Sequence, residues 1–182
     1  MTAARFSPDL YLKALHFAAD AHGAQTVPGS ARPYLVHVCS VAAEVIAALQ
    51  MEAHEQPDLA VVSALLHDVA EDTPVGLDRI ASEFGAGVAA GVAALTKDSS
   101  KPKDEQMADS LARIRQQPRE IWMVKLADRT TNLQPPPAHW SPEKCGRYRR
   151  EAETILEALG AASDVLSGRF RHRLAEYRRF ER

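Results

Sequence analysis

Apolar residues recur with helical spacing in nearly every segment between the glycine and proline breaks of this sequence. No two β-branched runs flank an Asn-Gly or Asp-Gly turn, which would indicate a β-hairpin. The tripeptides Ser7-Pro8-Asp9 and Ser141-Pro142-Glu143 each place a capping serine before a proline and an acid, as at a helix start. The sequence therefore predicts an all-α helical bundle. The predicted helices cover residues 7–22, 36–50, 58–71, 76–84, 86–97, 103–116, 118–133, 141–159 and 161–180.

One domain is expected to account for the whole chain. A length of 182 residues with 46% hydrophobic content suffices for one sizeable core, and no stretch is long enough to form a second. The sequence has no internal repeat and no low-complexity segment. We therefore treat residues 1–182 as one unit.

The charge balance argues against nucleic acid and membrane partners. The 22 basic and 24 acidic side chains leave a net charge of −2, which provides no long-range attraction to polyanions. Arginines gather in residues 168–182, but Glu176 and Glu181 interrupt them, which favours an exposed helix face over a basic partner site. The longest apolar stretch is far short of the roughly 20 residues that span a bilayer. These features leave the oligomeric state undetermined.

The cysteines and the N-terminal residues indicate a cytoplasmic protein. Cys39 and Cys145 lie far apart without a CxxC motif or a cysteine-rich framework. The segment MTAARFSPDLYLKAL lacks the uninterrupted apolar core of a signal peptide.

Four ionisable residues, His67, Asp68, Glu71 and Asp72, directly follow the apolar run DLAVVSALL at 58–66. On a continuous helix, residues four apart share a face, so His67 lies over Glu71 and Asp68 over Asp72. Ionised carboxylates beside a hydrophobic core are costly unless they are compensated. A divalent cation compensates them, because carboxylates and neutral imidazole are its natural ligands. The simpler alternative is that Glu71 and Asp72 begin a loop.

Further metal ligands would have to come from other helices, because two neighbouring residues cannot fill a coordination sphere. His37 lies in an apolar helical stripe, and Asp128 lies in the apolar helix IWMVKLADRTTNL. The separate alternatives are a hydrogen-bonded core histidine at His37 and an ion pair between Asp128 and Arg129. Together with the His67-Asp68 pair, however, these residues form a set that chance burial does not readily produce.

The order His37, His67-Asp68, Asp128 resembles the HD superfamily of metal-dependent phosphohydrolases. HDxxED, followed by FG at 84–85 and KLADRTTNL at 125–133, is similar to the hydrolase domain of RelA/SpoT homologues. Stand-alone small alarmone hydrolases are the closest type, and the resemblance covers most of the chain. It implies an HD-domain bundle that hydrolyses the 3′-pyrophosphate of guanosine tetra- or pentaphosphate. The products would be GDP or GTP and pyrophosphate, as in the stringent response.

The resemblance also implies roles for the charged residues. Glu71 and Asp72 would act on the reacting water, since a carboxylate beside it can accept its proton and return a proton to the leaving oxygen. One divalent metal, usually Mn²⁺, would lower the pKa of its bound water to about 7. The implied metal ligands are His37, His67, Asp68 and Asp128.

Candidate substrate-binding residues lie beside these motifs. Asn132 stands where the family places an asparagine against the nucleotide, and Tyr148 where relatives carry a tyrosine near the substrate. Lys97, Lys125 and Arg129 are candidates for meeting phosphate charge. For Lys125 and Arg129 the alternative is a surface charge, and for Tyr148 it is a core or surface position.

The loop before His37 departs from the family pattern. Relatives carry basic residues there that hold the purine and its phosphates, whereas this chain has Thr-Val-Pro at 26–28. Arg32, in the same loop, is a candidate for the missing charge. A different substrate is the other interpretation, either an adenine alarmone or the 2′-phosphate of NADPH. After the last motif, residues 135–140 form either a rigid connector or, through Trp140, part of a pocket mouth.

A regulator without catalytic activity, built on the same scaffold, is the alternative from another functional class. It is disfavoured because candidates for every ligand and acid position are present. The sequence thus predicts a metal-dependent hydrolase of a small nucleotide.

Overall fold

The computed structural model describes residues 5–182, and these confirm the all-α prediction. No strand occurs within this part of the chain, where the β pairing is confined to an isolated bridge between Thr26 and Pro33. The helices are α1 Pro8–His22, α2 Leu35–Met51, α3 Pro57–Leu66, α4 Val69–Asp72, α5 Leu77–Phe84, α6 Ala86–Leu95, α7 Gln106–Ile114, α8 Arg119–Asn132, α9 Pro142–Leu159 and α10 Asp164–Tyr177. Short 3₁₀ turns at Gly160–Ala162 and Arg178–Glu181 flank α10.

Both serine-proline helix starts are confirmed. The Ser7 hydroxyl accepts a hydrogen bond from the backbone N–H of Leu10 at 3.3 Å. The Ser141 hydroxyl accepts one from Lys144 N–H, also at 3.3 Å. Each side chain satisfies one of the N–H groups that a helix N-terminus leaves unpaired.

Helix α3 lies at the centre of the bundle. Eight of its ten residues are buried, so it has no polar face, as expected of a helix surrounded by others. It packs against α1, α2, α6 and α8. Close packing of α6 depends on Gly91, where a Cβ would lie 3.1 Å from Ile121 Cγ1 on α8. The ends of these packed helices carry the polar residues of the candidate site.

The predicted continuous helix over 58–71 is wrong, because the chain turns at His67 and Asp68. Asp68 has φ −100° and ψ −4°, in the bridge region between the helical and extended conformations. Helix α4 ends after four residues because Thr73 precedes a proline and is extended. The motif residues therefore lie on two short segments joined at a bend.

None of the helices in residues 5–182 is both long and apolar enough to cross a bilayer.

Candidate metal centre and active-site cleft

Four side chains from three parts of the bundle converge on one point. His37 comes from α2, His67 and Asp68 from the bend after α3, and Asp128 from α8. His37 Nε2 lies 3.5 Å from both Asp68 Oδ2 and Asp128 Oδ1. His67 Nε2 lies 2.9 Å from Asp68 Oδ2 and 3.8 Å from Asp128 Oδ1. His37, His67 and Asp128 offer ligand atoms that all lie within 4.8 Å of one another.

The hydrogen bonding of His67 shows that this cluster fits a cation. His67 Nδ1 donates to the Ala64 carbonyl at 2.9 Å, so in the neutral ring Nε2 carries the lone pair. That Nε2 atom is buried without a hydrogen bond, although carboxylate oxygens lie close to it. An imidazole lone pair and carboxylate oxygens repel one another unless positive charge lies between them. Neutral imidazole and carboxylate are common ligands of divalent metals.

Without a metal, protons must supply that positive charge. Burial lowers the pKa of His67, but the charges of Asp68 and Asp128 outweigh burial and raise it well above its usual range. Burial raises the pKa of Asp128, but Lys125 and the two imidazoles hold it well below its ordinary value. The two carboxylates thus favour the binding of positive charge at the cluster, either a proton or a metal ion.

Outer side chains hold the two carboxylates in place. The Tyr34 hydroxyl donates to Asp68 Oδ2 at 2.6 Å. Burial and the nearby charge of Asp68 raise the pKa of Tyr34, so the hydroxyl remains a donor. Asn132 Nδ2 donates to Asp128 Oδ1 at 2.6 Å, and Lys125 Nζ donates to Asp128 Oδ2 at 3.0 Å. Such partners fix ligand orientation and tune metal affinity.

Glu71 and Asp72 lie on α4, immediately after the bend. The Asp72 N–H donates to the Asp68 carbonyl at 2.9 Å, so one helical turn connects the two residues. Each exposed carboxylate has a fixed neighbour. Glu71 Oε2 accepts from the Lys97 N–H at 3.0 Å, and Asp72 Oδ2 accepts from Gln25 Nε2 at 3.0 Å. Lys97 Nζ lies 3.7 Å from Glu71 Oε1.

A cleft of about 890 Å³ adjoins the metal centre at Tyr34, His37 and Asn132. Its other walls come from the hairpin at 26–33, from residues 134–140 and from helices α2, α8, α9 and α10. Gly29 at the hairpin tip approaches Pro137, because a Cβ there would lie 3.9 Å from Pro137 Cγ. The lining residues outside the metal centre include Val27, Pro28, Arg32, Gln134, Pro135, Pro136, Pro137, Trp140, Tyr148, Arg169, Arg173 and Tyr177.

The structure separates the candidate substrate residues into two groups. Asn132, Tyr148 and Arg32 line the cleft, whereas Lys97, Lys125 and Arg129 do not. The alternative of surface charges is wrong for Lys125 and Arg129, which are 8% and 6% exposed. Lys125 donates a hydrogen bond to the carboxylate of Asp128 in the candidate metal centre. The Arg129 guanidinium lies 4.3 Å from the centre of the Tyr148 ring, where it supports the cleft wall.

Sequence reasoning missed the contribution of α10 to the cleft. Arg169 and Arg173 lie one turn apart and both line it. Arg169 forms an ion pair with Glu44 on α2, whose carboxylate also lines the cleft. The four-residue spacing of the arginines was visible, but the sequence does not indicate that α10 packs beside α2.

Comparisons with known proteins agree with this geometry. The chain matches the model of the HD domain family over residues 14–165. It is 30% identical over 171 residues to a Xenopus tropicalis protein named guanosine-3′,5′-bis(diphosphate) 3′-pyrophosphohydrolase MESH1, covering 90% of this chain and 92% of the relative. It is 41% identical over 122 residues to a guanosine-3′,5′-bis(diphosphate) 3′-pyrophosphohydrolase of Haemophilus influenzae, covering 64% of this chain but only 17% of that longer protein.

Among solved structures, a metazoan orthologue of SpoT described as hydrolysing ppGpp has a similar fold. The TM-score is 0.81 at 24% sequence identity, and the match covers 95% of this chain and 98% of the other.

Proposed function

The chain belongs to the HD domain family, and we propose that it is a metal-dependent hydrolase of guanosine 3′,5′-bis(diphosphate). It removes the 3′-pyrophosphate and releases GDP and pyrophosphate; from the pentaphosphate it releases GTP. The observation that carries this proposal is the convergence of His37, His67, Asp68 and Asp128 beside a nucleotide-sized cleft. The names of the relatives that match along most of their length support the same substrate.

The metal is proposed to be a single Mn²⁺ ion held by those four residues. Two imidazoles and two carboxylates also suit iron, zinc and nickel, so the choice of manganese rests on family resemblance. When bound, such an ion lowers the pKa of water to about 7 and offsets charge on phosphoryl oxygens.

Proton transfer is assigned to Glu71 and Asp72. Water attacks the phosphorus atom attached to the 3′-oxygen, and the bond between that phosphorus and the 3′-oxygen breaks. One carboxylate accepts the proton that the water loses, and a proton returns to the 3′-oxygen of the leaving GDP. Lys97 and Gln25 hold the two carboxylates through the hydrogen bonds described above, so neither acid must be ordered during the reaction.

Nucleotide binding is assigned to the cleft beside the metal centre. The cationic side chains among the described lining residues are Arg32, Arg169 and Arg173. Since Glu44 engages Arg169 and Glu176 engages Arg173, we assign the phosphate charge mainly to Arg32. Trp140 packs edge-on against Tyr148 with ring centres 5.3 Å apart, which supplies an aromatic wall for the base.

A second substrate class is favoured by one observation. The hairpin presents Val27 and Pro28 to the cleft where relatives carry basic residues. An adenine alarmone or the 2′-phosphate of NADPH could be hydrolysed by the same metal and acids, with the base held by different cleft residues. The expected setting is the cytoplasm, and the expected partner is the nucleotide alone.

A substrate panel tests the proposal. Mn²⁺-loaded protein is incubated with guanosine tetraphosphate, its adenosine analogue and NADPH, and the products are identified. We expect pyrophosphate and GDP from the first at the highest kcat/KM. Release of orthophosphate from NADPH with higher kcat/KM would contradict the guanosine assignment, and no turnover of any substrate would support a regulator without activity.

A further inference from the structure

A chain of hydrogen bonds leads from a buried histidine to one of the two proposed acids. His22, at the end of α1, is 6% exposed, and its Nδ1 lies 2.8 Å from Gln25 Oε1. Gln25 Nε2 donates to Asp72 Oδ2 at 3.0 Å. Neither His22 nor Gln25 lines the substrate cleft. Asp72 itself does not line that cleft either, so all three residues lie beside the candidate metal centre and not in the cleft wall.

The chemistry of the side chains fixes the direction of both hydrogen bonds between His22, Gln25 and Asp72. An ionised carboxylate only accepts, so the amide nitrogen of Gln25 must face Asp72. The amide oxygen then faces His22, whose Nδ1 must carry the proton. His22 Nε2 is consequently left without a proton, which agrees with its being buried without a hydrogen-bond partner. A proton on that atom would add an unpaired buried donor.

The backbone of Gln25 is anchored on both sides. Its N–H donates to the His22 carbonyl at 2.8 Å, and its carbonyl accepts from the Tyr34 N–H at 2.8 Å. The glutamine side chain therefore begins from a fixed point, and His22 removes the freedom of the amide to rotate. Together they give the exposed Asp72 carboxylate one preferred orientation.

The same histidine also borders the metal centre. Its ring lies 4.7 Å from the ring of Tyr34, measured between centres. The Tyr34 hydroxyl in turn donates to Asp68. One buried imidazole thus contacts the supports of both a proposed acid and a proposed metal ligand, which keeps the two at a constant separation.

We propose that His22 and Gln25 are positioning residues that aim the Asp72 carboxylate at the reacting water. The inference rests on the proposed function, because it assigns a cause to the placement of a proposed acid. Gln25 acts directly on Asp72, and His22 acts through Gln25. Loss of the hydrogen bond made by either residue lowers kcat, and substrate and metal binding stay unchanged as long as a ring at position 22 keeps its contact with Tyr34.

The first test compares Gln25→Leu with Gln50→Leu, a matched substitution at an exposed glutamine of α2 whose side chain makes no hydrogen bond within residues 5–182. We expect Gln25→Leu to lower kcat for guanosine tetraphosphate roughly 10- to 100-fold, since small misplacements of reacting groups have effects of that size. KM, bound manganese and melting temperature should match those of Gln50→Leu. An unchanged kcat, or a loss explained by reduced manganese content, would overturn the inference.

The second test asks whether His22 acts through Gln25. His22→Phe keeps a ring against Tyr34 but removes the Nδ1 donor, so it should lower kcat less than Gln25→Leu does. The double variant should be no slower than Gln25→Leu alone, because the histidine has no other route to Asp72. Additive losses in the double variant would contradict the hydrogen-bond chain.

The third test uses the chemistry of a carboxyl group in place of the amide. Gln25→Glu places a second carboxylate against Asp72, and kcat should fall at neutral pH. As the pH is lowered, protonation gives the new side chain a donor again, so its kcat relative to wild type should recover. His22 and Asp72 are the titratable groups hydrogen-bonded to residue 25. A ratio that stays constant with pH would indicate a steric effect and would contradict the assignment.

A measurement without turnover separates this inference from the proposed function. The ¹⁵N chemical shifts of the His22 ring should report a proton on Nδ1 in wild type, and Gln25→Leu should shift the proton population toward Nε2. A wild-type ring protonated at Nε2 would overturn the inference even in an active enzyme. Lack of turnover by wild type would instead reject the proposed function.

Discussion

Replacing Tyr34 by phenylalanine removes one hydroxyl that supports the candidate metal centre. The Tyr34 side chain donates at 2.6 Å to Asp68, and phenylalanine preserves its ring contacts with His22 and His37. The change therefore opens almost no cavity, and the lost hydrogen bond dominates the effect. A hydrogen bond to a charged group contributes about 1.5–3 kcal/mol.

The lower end of that range applies to Tyr34→Phe. The Asp68 side chain is 20% exposed, so water can partly replace the lost donor. A loss of about 1.5 kcal/mol corresponds to a fall in melting temperature of about 3–6 °C for a protein of this size. Because Asp68 also loses its fixed orientation, we expect Mn²⁺ affinity to fall about 10-fold or more.

Urea unfolding of the metal-free protein and calorimetric titration with Mn²⁺ measure the two effects. Tyr11→Phe serves as the matched control, since it removes a hydroxyl of α1 that lies near Cys39 of α2 and makes no contact with the candidate metal ligands. An unchanged Mn²⁺ affinity in Tyr34→Phe would refute the role of Tyr34 as a support for a metal ligand. An equal loss of affinity in Tyr11→Phe would attribute the effect to general destabilisation.

Three further predictions concern packing, phosphate binding and acid sensitivity. Gly91→Ala drives a methyl group into Ile121 and should destabilise the protein by about 1–3 kcal/mol in urea unfolding, whereas Gly87→Ala, with open space around it, should not. Arg32→Ala should raise KM for guanosine tetraphosphate roughly 10-fold, equivalent to about 1.4 kcal/mol, with little change in kcat; an unchanged KM would contradict its assignment. Burial raises the pKa of Glu52, but hydrogen bonds to its carboxylate outweigh burial and lower it. The ionised Glu52 carboxylate therefore stabilises the fold fully above its unfolded-state pKa of about 4.3, and this stabilisation is lost as the pH falls through the lower pKa of the folded state. Glu52→Gln should lose less stability than wild type on acidification. Urea unfolding at a series of pH values measures the difference.

The helices were predictable because their signals are local. Serine caps, prolines at helix starts and apolar spacing identified nearly every element within a few residues. The bend at His67-Asp68 was not predictable in this way. At the bend, Asp68 contacts Tyr34, which is distant in sequence, and the imidazole of His67. A helical pattern of apolar residues contains no information about such contacts.

The residues of the candidate site likewise fall into those that could be predicted from the sequence and those that could not. The histidines and acids that converge at the centre could be named from motif order, because each occupies an otherwise apolar helix or directly follows one. The residues of the cleft walls could not be named from the sequence, because the walls depend on how distant segments pack together. Arg169 and Arg173 look like surface charges on α10, and residues 135–137 look like a spacer, until the bundle brings both against the hairpin and α2.

Lys125 and Arg129 show why charge alone is a poor guide to substrate contact. Both follow the apolar start of α8 and resemble phosphate ligands in the sequence. In the folded chain, Lys125 is bonded to Asp128, and Arg129 lies against the Tyr148 ring. Their charges support the metal centre and the cleft wall, which the linear motif does not distinguish from binding to phosphate.

We propose that this chain hydrolyses guanosine tetraphosphate with a metal and a separate acid pair. The most direct test of this division between metal and acids is a single-turnover comparison of wild type and Glu71→Ala. Each protein is first shown by elemental analysis to contain one equivalent of Mn²⁺. We expect equimolar GDP and pyrophosphate from wild type and no detectable product from the metal-replete variant. Retained turnover in Glu71→Ala, or orthophosphate as the product of wild type, would contradict it.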